Sequence, residues 1–183
     1  MKNLIKIILL SLIIVVSILA YMSTRPPLSP KDNLKFTQVL NDGSSTNFEV
    51  EYSRPYKKNR LIFGMKDDEA LVPFNEYWRT GANYSTDLSS SESFKFGGVE
   101  VNKGSYWLYT IPGENSWQVF LNTESGSFAY FNPDTDKNVA YIEVDSYKLD
   151  NVVEQFTINF IEKENNLFLT LHWDQTGISI PIN

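Results

Sequence analysis

Between Arg54 and Asn83 the chain gathers cations, Arg54, Lys57, Lys58, Arg60 and Arg79 among them, within a sequence that is acidic elsewhere. A guanidinium group presents several donors in one rigid plane. That plane suits a carboxylate, a phosphate or a cluster of carbonyls, and an aromatic neighbour such as Trp78 can stack on it. With Asn83 supplying an amide, Arg54, Arg60, Trp78, Arg79 and Asn83 form the candidate site for a polar or anionic ligand, glycans included. A second use of the same side chains competes with this one. Pro55, Gly64, Pro73 and Gly81 punctuate the stretch as a long folded-back loop, and such a loop needs side-chain donors for its own carbonyls. Arginines that brace a loop are commoner than arginines that await a ligand.

Other chemistries are poorly supplied. His172 is the sole imidazole and lies between Leu171 and Trp173 on a strand whose odd positions are apolar. It faces away from that core, without the partners of a triad or a histidine metal site. Asn132 to Asn138 opens with the oxygen spacing of a calcium loop, but Val139 stands where the loop needs Gly, so a turn is expected. Asp67, Asp68 and Glu69 read as a solvated acidic run. Paired carboxylates flanking a cleft would suffice for glycoside hydrolysis, and Glu51, Glu76 and Asp87 are the conceivable members. No catalytic constellation, metal set or cofactor motif is expected. Trp78, Trp107 and Trp117 read chiefly as core, and Asn83-Tyr84-Ser85 matches the glycan-acceptor pattern without carrying weight.

The elements that must position these residues follow from patterning. The chain has 183 residues, no Cys and a net charge of −6. Lys2 and Lys6 introduce a run from Ile7 to Met22 that is uncharged and has Ser11 and Ser17 as its polar residues. Counted from Leu4 it offers about 19 residues, or about 28 Å of helix, close to the roughly 30 Å hydrocarbon core. Positions before a cut suit a signal peptidase poorly. Residues 1–23 are therefore expected to form an uncleaved transmembrane anchor with the domain outside the cytoplasm; a cleaved signal would leave it secreted or periplasmic. Residues 24–33 follow as a Pro-rich linker. Without the leader, 14 basic side chains face 22 acidic ones, a balance that argues against nucleic acid as a partner.

From Lys35 the period changes to two. Phe48, Val50 and Tyr52 alternate with polar residues, and a hairpin to Lys35–Leu40 is expected across Asn41 to Ser44. Further strands are expected at Ser93–Phe96, Val99–Val101, Tyr106–Ile111, Trp117–Leu121, Ala140–Tyr147, Val153–Ile161, Leu167–Trp173 and Ile178–Ile182, with a possible helix at Lys66–Leu71 and a loop at Ser89–Ser93. About ten short strands at hairpin spacing predict an all-β domain over residues 34–183, a single antiparallel sandwich or open barrel.

Several blocks resemble one known family. Arg54-Pro55, Ile62-Phe63-Gly64, Leu71-Val72-Pro73, Trp78 to Asn83, Gly104-Ser105-Tyr106, Thr110 to Gly113 and the Leu171-to-Asp174 ending are similar to the bacterial domain-of-unknown-function 2911 family, from roughly Leu28 onward. Met65–Ala70 stands as an insertion, and Tyr84 takes the place of an acid that the pattern has after the Asn. The resemblance implies a β-rich envelope or secreted domain and no defined activity. The expectation for function is a membrane-anchored, non-catalytic binding domain. The alternatives are a structural or protein-interaction module and, less favoured, a carbohydrate-active enzyme.

Overall fold

A computed structural model describes residues 2–24, 28–39, 43–126, 129, 131–164 and 166–183, with the side chains of the first helix described from 6 to 21. That helix, α1 (Lys2–Thr24), exposes apolar side chains on every face, Ile7, Leu10, Ile13 and Leu19 among them. Among the described residues no helix is long and apolar enough to cross a membrane. The expected transmembrane span is corrected accordingly.

The rest of the chain is mostly β. Period-two alternation turns Phe48, Val50 and Tyr52 inward from β2 (Ser45–Ser53), which pairs antiparallel with β1 (Lys31–Val39), from Lys31 opposite Ser53 to Val39 opposite Ser45. The hairpin is as expected; positions 40–42 of its turn lie outside the described residues. After two short strands, β3 (Phe63–Gly64) and β4 (Val72–Pro73), come β5 (Thr86–Ser90), β6 (Phe94–Phe96), β7 (Val99–Val101), β8 (Gly104–Pro112), β9 (Ser116–Asn122), β10 (Asn138–Lys163) and β11 (Asn166–Ile182). Nine of these strands form one open antiparallel sheet, ordered β1-β2-β5-β8-β9-β10-β11-β6-β7, and β3 with β4 makes a separate parallel pair.

β10 governs the shape. Its first part pairs with β9 through Asp145, and from Ser146 onward it pairs with β11, with register shifts between Lys148 and Val153 and between Val153 and Thr157. Such irregularities bend a strand. The bend brings the far half of the sheet over the near half: Ile158 N–H donates to Tyr52 Oη at 3.0 Å, and Phe36 stacks on Phe160 with ring centroids 5.5 Å apart. Apolar side chains from both halves, Val50, Leu88 and Leu108 with Phe156, Leu169 and Ile180, share one core.

Four expectations change. Ala140–Tyr147 and Val153–Ile161 belong to one strand, because the chain bulges rather than turns between them. Leu167–Trp173 and Ile178–Ile182 likewise merge, across Asp174 at φ +53°. The helix looked for at Lys66–Leu71 shrinks to a 3-10 turn at Lys66–Asp68, stopped by Glu69 at φ +57°. Finally, β5 occupies part of the expected Ser89–Ser93 loop, in the middle of the sheet, because its inward positions Thr86 and Ser90 are small and polar and only Leu88 is apolar.

Candidate functional site

The cationic loop leaves β2 at Arg54 and is fastened at both ends. Near its start, Lys57 N–H donates to Glu154 O at 2.7 Å, and Phe156 N–H donates to Pro55 O at 2.9 Å, laying the chain along β10. Near its end, Trp78 and Thr110 exchange backbone hydrogen bonds of 2.8 and 3.0 Å. The Thr80-Gly81-Ala82-Asn83 turn then takes left-handed backbone at Thr80, Gly81 and Asn83. Gly is required at the middle of it: with φ at +141°, an added Cβ would lie 2.9 Å from Ser53 O. Trp78 Nε1 caps the turn by donating to Gly81 O at 3.1 Å, and Thr86 Oγ1 donates to Thr80 O.

A cavity of about 1070 Å³ opens beside this turn. Its wall includes Tyr56, Lys58, Arg60, Tyr77, Trp78, Arg79, Asn83 and Trp173 over an apolar base of Pro55, Leu71 and Val72, and no Asp or Glu lines it among the described residues. Of the five residues singled out by sequence, Arg60, Trp78, Arg79 and Asn83 are therefore brought together. Arg54 is not among the lining residues. Its guanidinium reaches Phe156 O at 3.2 Å, Asp32 Oδ2 at 3.0 Å and Thr157 Oγ1 at 3.0 Å, joining β1, β2 and β10. Lys57 is similarly occupied, with Asp174 at 2.5 Å and Arg60 O at 2.8 Å.

The remaining cations differ in freedom. Arg60 donates to the carbonyls of Lys57 and Tyr56 within its own loop. Among the described residues Arg79 makes one hydrogen bond, to Asn83 O at 3.3 Å, and neither Arg79 nor Lys58 belongs to an ion pair. Three wall residues also carry buried polar atoms without a hydrogen-bond partner among the described residues: Tyr77 Oη, Asn83 Nδ2 and Trp173 Nε1. Burial pushes the Tyr77 phenol well above its ordinary range, so it stays protonated. All three can donate. Tyr56, Lys58, Tyr77 and Trp173 were not among the candidates read from sequence. Trp173 alternates with Leu169 and Leu171 and so reads as core, whereas Tyr77, beside Trp78, carried a weak signal.

Trp78 has a second role. Its ring stacks on Trp173 with centroids 5.8 Å apart and meets Trp117, Phe63 and Phe156 edge-on. The cavity floor is thus continuous with the core.

The carboxylates separate. Glu51 and Asp87 stand opposite each other in the β2–β5 ladder, while Glu76 is tied to Lys66 at 2.7 Å. Lys31 binds Glu51 at 2.6 Å and lies 4.4 Å above the Tyr84 ring. Burial raises the Asp87 pKa above its ordinary 3.8; Ser85 and the Gly126 N–H oppose the shift, Glu51 adds to it and Lys31 reduces it. An acid whose folded pKa is raised contributes stability below its unfolded pKa and loses it as pH climbs through the folded value. Asp87→Asn is therefore expected to raise the urea midpoint at pH 7, with the advantage disappearing near pH 3. A difference that does not change with pH would contradict this. His172 donates or accepts a 2.8 Å bond with Tyr147 Oη, and burial lowers its pKa. The Asn132–Asn138 segment holds a 3-10 turn capped by Asp134, and no metal-binding group of three or more His, Cys, Asp or Glu occurs among the described residues.

A family model described as a protein of unknown function (DUF2911) matches residues 29–182. The chain belongs to the DUF2911 family. No curated protein and no solved structure matches it. The matched part of this DUF2911 chain begins ahead of β1 and takes in every strand and the whole cavity wall from Ser29 onward, leaving α1 outside. In this member the Tyr84 ring lies beneath Lys31.

Proposed function

We propose that the domain is a non-catalytic binding module for a small polar anion, acidic glycan fragments included, in the cavity beside the Thr80–Asn83 turn. The observation that supports this is the wall itself: Lys58, Arg60 and Arg79 without an opposing carboxylate, accompanied by the unpartnered donors of Tyr77, Asn83 and Trp173. Buried donors left unpaired carry a desolvation cost, and an acceptor-rich ligand removes it. Charged donors near low-dielectric walls also attract anions over some distance. The two-layer sandwich reading of the folded-over sheet belongs to the same proposal, since a bent sheet leaves an open end for such a cavity.

Arg79→Ala supplies the test. Among the described residues the side chain makes one long hydrogen bond, so its removal is expected to cost at most about 1 kcal/mol of stability. Stabilisation by the bound anion in a thermal-shift screen of envelope glycans and small acids should meanwhile fall, with affinity reduced about tenfold or more, as the loss of a charge-assisted bond requires. No stabilisation by any acid, or equal stabilisation in Arg79→Ala, would remove the reading. A structural or protein-interaction module is the second reading, favoured by Arg54 and Arg60, both of which donate to backbone carbonyls. It expects Arg79→Ala to destabilise the fold instead.

The proposed setting is the cell envelope, with residues 1–23 holding the domain at the extracytoplasmic face of a membrane. Its support is a helix apolar on all sides with exposed Ile, Leu and Val side chains. Fractionation of cells, with and without residues 1–23, reports on it.

A further inference from the structure

The wall of the cationic cavity is not polar throughout. Leu28, Tyr56 and Leu71 line it beside Lys58, Arg60 and Arg79, and these three apolar or aromatic side chains are 64%, 41% and 43% exposed. Leu61, also exposed, is joined to Leu71 by a 3.0 Å bond from Leu71 N–H to Leu61 O. Lys58 and Arg60 are exposed as well, and Arg79 is half-buried. One mouth therefore presents accessible cations and accessible large apolar side chains together. A free small anion satisfies the cations and leaves the apolar rim in water, where it carries a cost.

The position of this mouth in the chain narrows its partner. The helix α1 exposes apolar side chains on every face and ends at Thr24, and the first residue of the cavity wall is Leu28. Four steps of chain span at most about 14 Å, so Leu28 stays within that distance of the end of α1. An apolar layer that takes up α1 brings its own surface to the same place. The domain is acidic over the rest of its sequence, so an anionic surface repels most of it and attracts this mouth, which decides how the domain turns. Among the described residues no Asp or Glu lines the cavity to oppose that attraction.

We propose that the mouth docks on a membrane carrying anionic phospholipid, with headgroup phosphates facing Lys58, Arg60 and Arg79 and with Leu28, Tyr56, Leu61 and Leu71 entering the headgroup layer around them. The proposal rests on the anion-binding reading above and names the source of the anion. A phosphodiester offers acceptors alone, which matches ammonium and guanidinium donors. Leucine side chains supply apolar contact, and a tyrosine keeps its ring in the apolar layer with its hydroxyl among the headgroups. Apolar burial and charge attraction add in such binding. Each basic side chain near an anionic surface strengthens attachment about fivefold, an effect that salt screens.

The full chain in nanodiscs of phosphatidylcholine, and in nanodiscs that also contain phosphatidylglycerol, tests this by amide hydrogen exchange over residues 56–61 and 79–83. Phosphatidylglycerol is expected to slow exchange there about fivefold or more at low salt and to lose that effect at high salt. The double variant Lys58→Gln/Arg79→Gln should lose the protection. Lys103→Gln/Lys163→Gln, which removes the same charge from exposed lysines outside the cavity wall, should keep it. The readout is the ratio of rates between the two discs, so a change in stability common to both cancels. Equal exchange in the two discs, or protection that survives Lys58→Gln/Arg79→Gln, would overturn the membrane assignment. Glycerol 1-phosphate added to the phosphatidylcholine discs separates the two readings. Slowing by it without slowing by phosphatidylglycerol would remove the membrane and leave the anion site standing; slowing by neither would overturn both.

Discussion

Trp78→Ala is expected to cost about 3–5 kcal/mol of unfolding free energy, the range for removing a large aromatic from a core. The ring is 7% exposed and contacts Trp173, Trp117, Phe63 and Phe156. No neighbour can fill that volume without drawing the β8 and β11 faces together. The substitution also strips Gly81 O of its donor and releases the turn that shapes the cavity. Trp78→Phe should recover roughly half of the loss, because the ring contacts return and the indole N–H does not. Urea unfolding followed by circular dichroism measures both. A loss below about 1.5 kcal/mol for Trp78→Ala would mean that the neighbouring rings collapse into the space, at the mild end of what cavity formation costs.

Arg54→Ala is expected to be the next most damaging, at about 2–3 kcal/mol, since it removes the donor that the Phe156 carbonyl and Asp32 Oδ2 share. Both members of the Arg54–Asp32 pair are partly shielded, with side-chain exposures of 27% and 32%. Lys should rescue little. An ammonium group on a flexible stem does not reproduce three contacts that point in different directions from one plane. The urea midpoints of Arg54→Ala, Arg54→Lys and Arg79→Ala, compared at equal slope, test the assignment: Arg54 as a brace and Arg79 as a side chain held by one long hydrogen bond among the described residues predict a difference of about 1–2 kcal/mol between the two alanine variants. Equal midpoints would show that the two arginines share one role.

The contrast between these arginines marks the limit of what the amino-acid pattern discloses. Period-two alternation at Phe48, Val50 and Tyr52 is enough to place β2, because burial on one face imposes it. The same logic fails for β5, whose inward Thr86 and Ser90 satisfy a crowded polar layer instead of an apolar one. It fails again at β10, where Asp150 and Asn151 look like a turn and the backbone bulges on as strand. For the site, residue type identified the cations and spacing could not sort them. Arg54 and Arg79 carry the same chemistry, and only the nearness of Phe156 and Thr157, about a hundred positions later, occupies one and spares the other.

The continuity of β10 has a mechanical corollary. A single backbone serves both halves of the domain, and the Tyr52–Ile158 clasp ties positions 106 apart. Neither half owns a full complement of ladders, so neither can melt while the other persists. Pairings between such remote parts of the chain also form late and slowly, which leaves the edges of β1 and β2 waiting, unprotected, for the carboxyl-terminal third of the polypeptide to arrive.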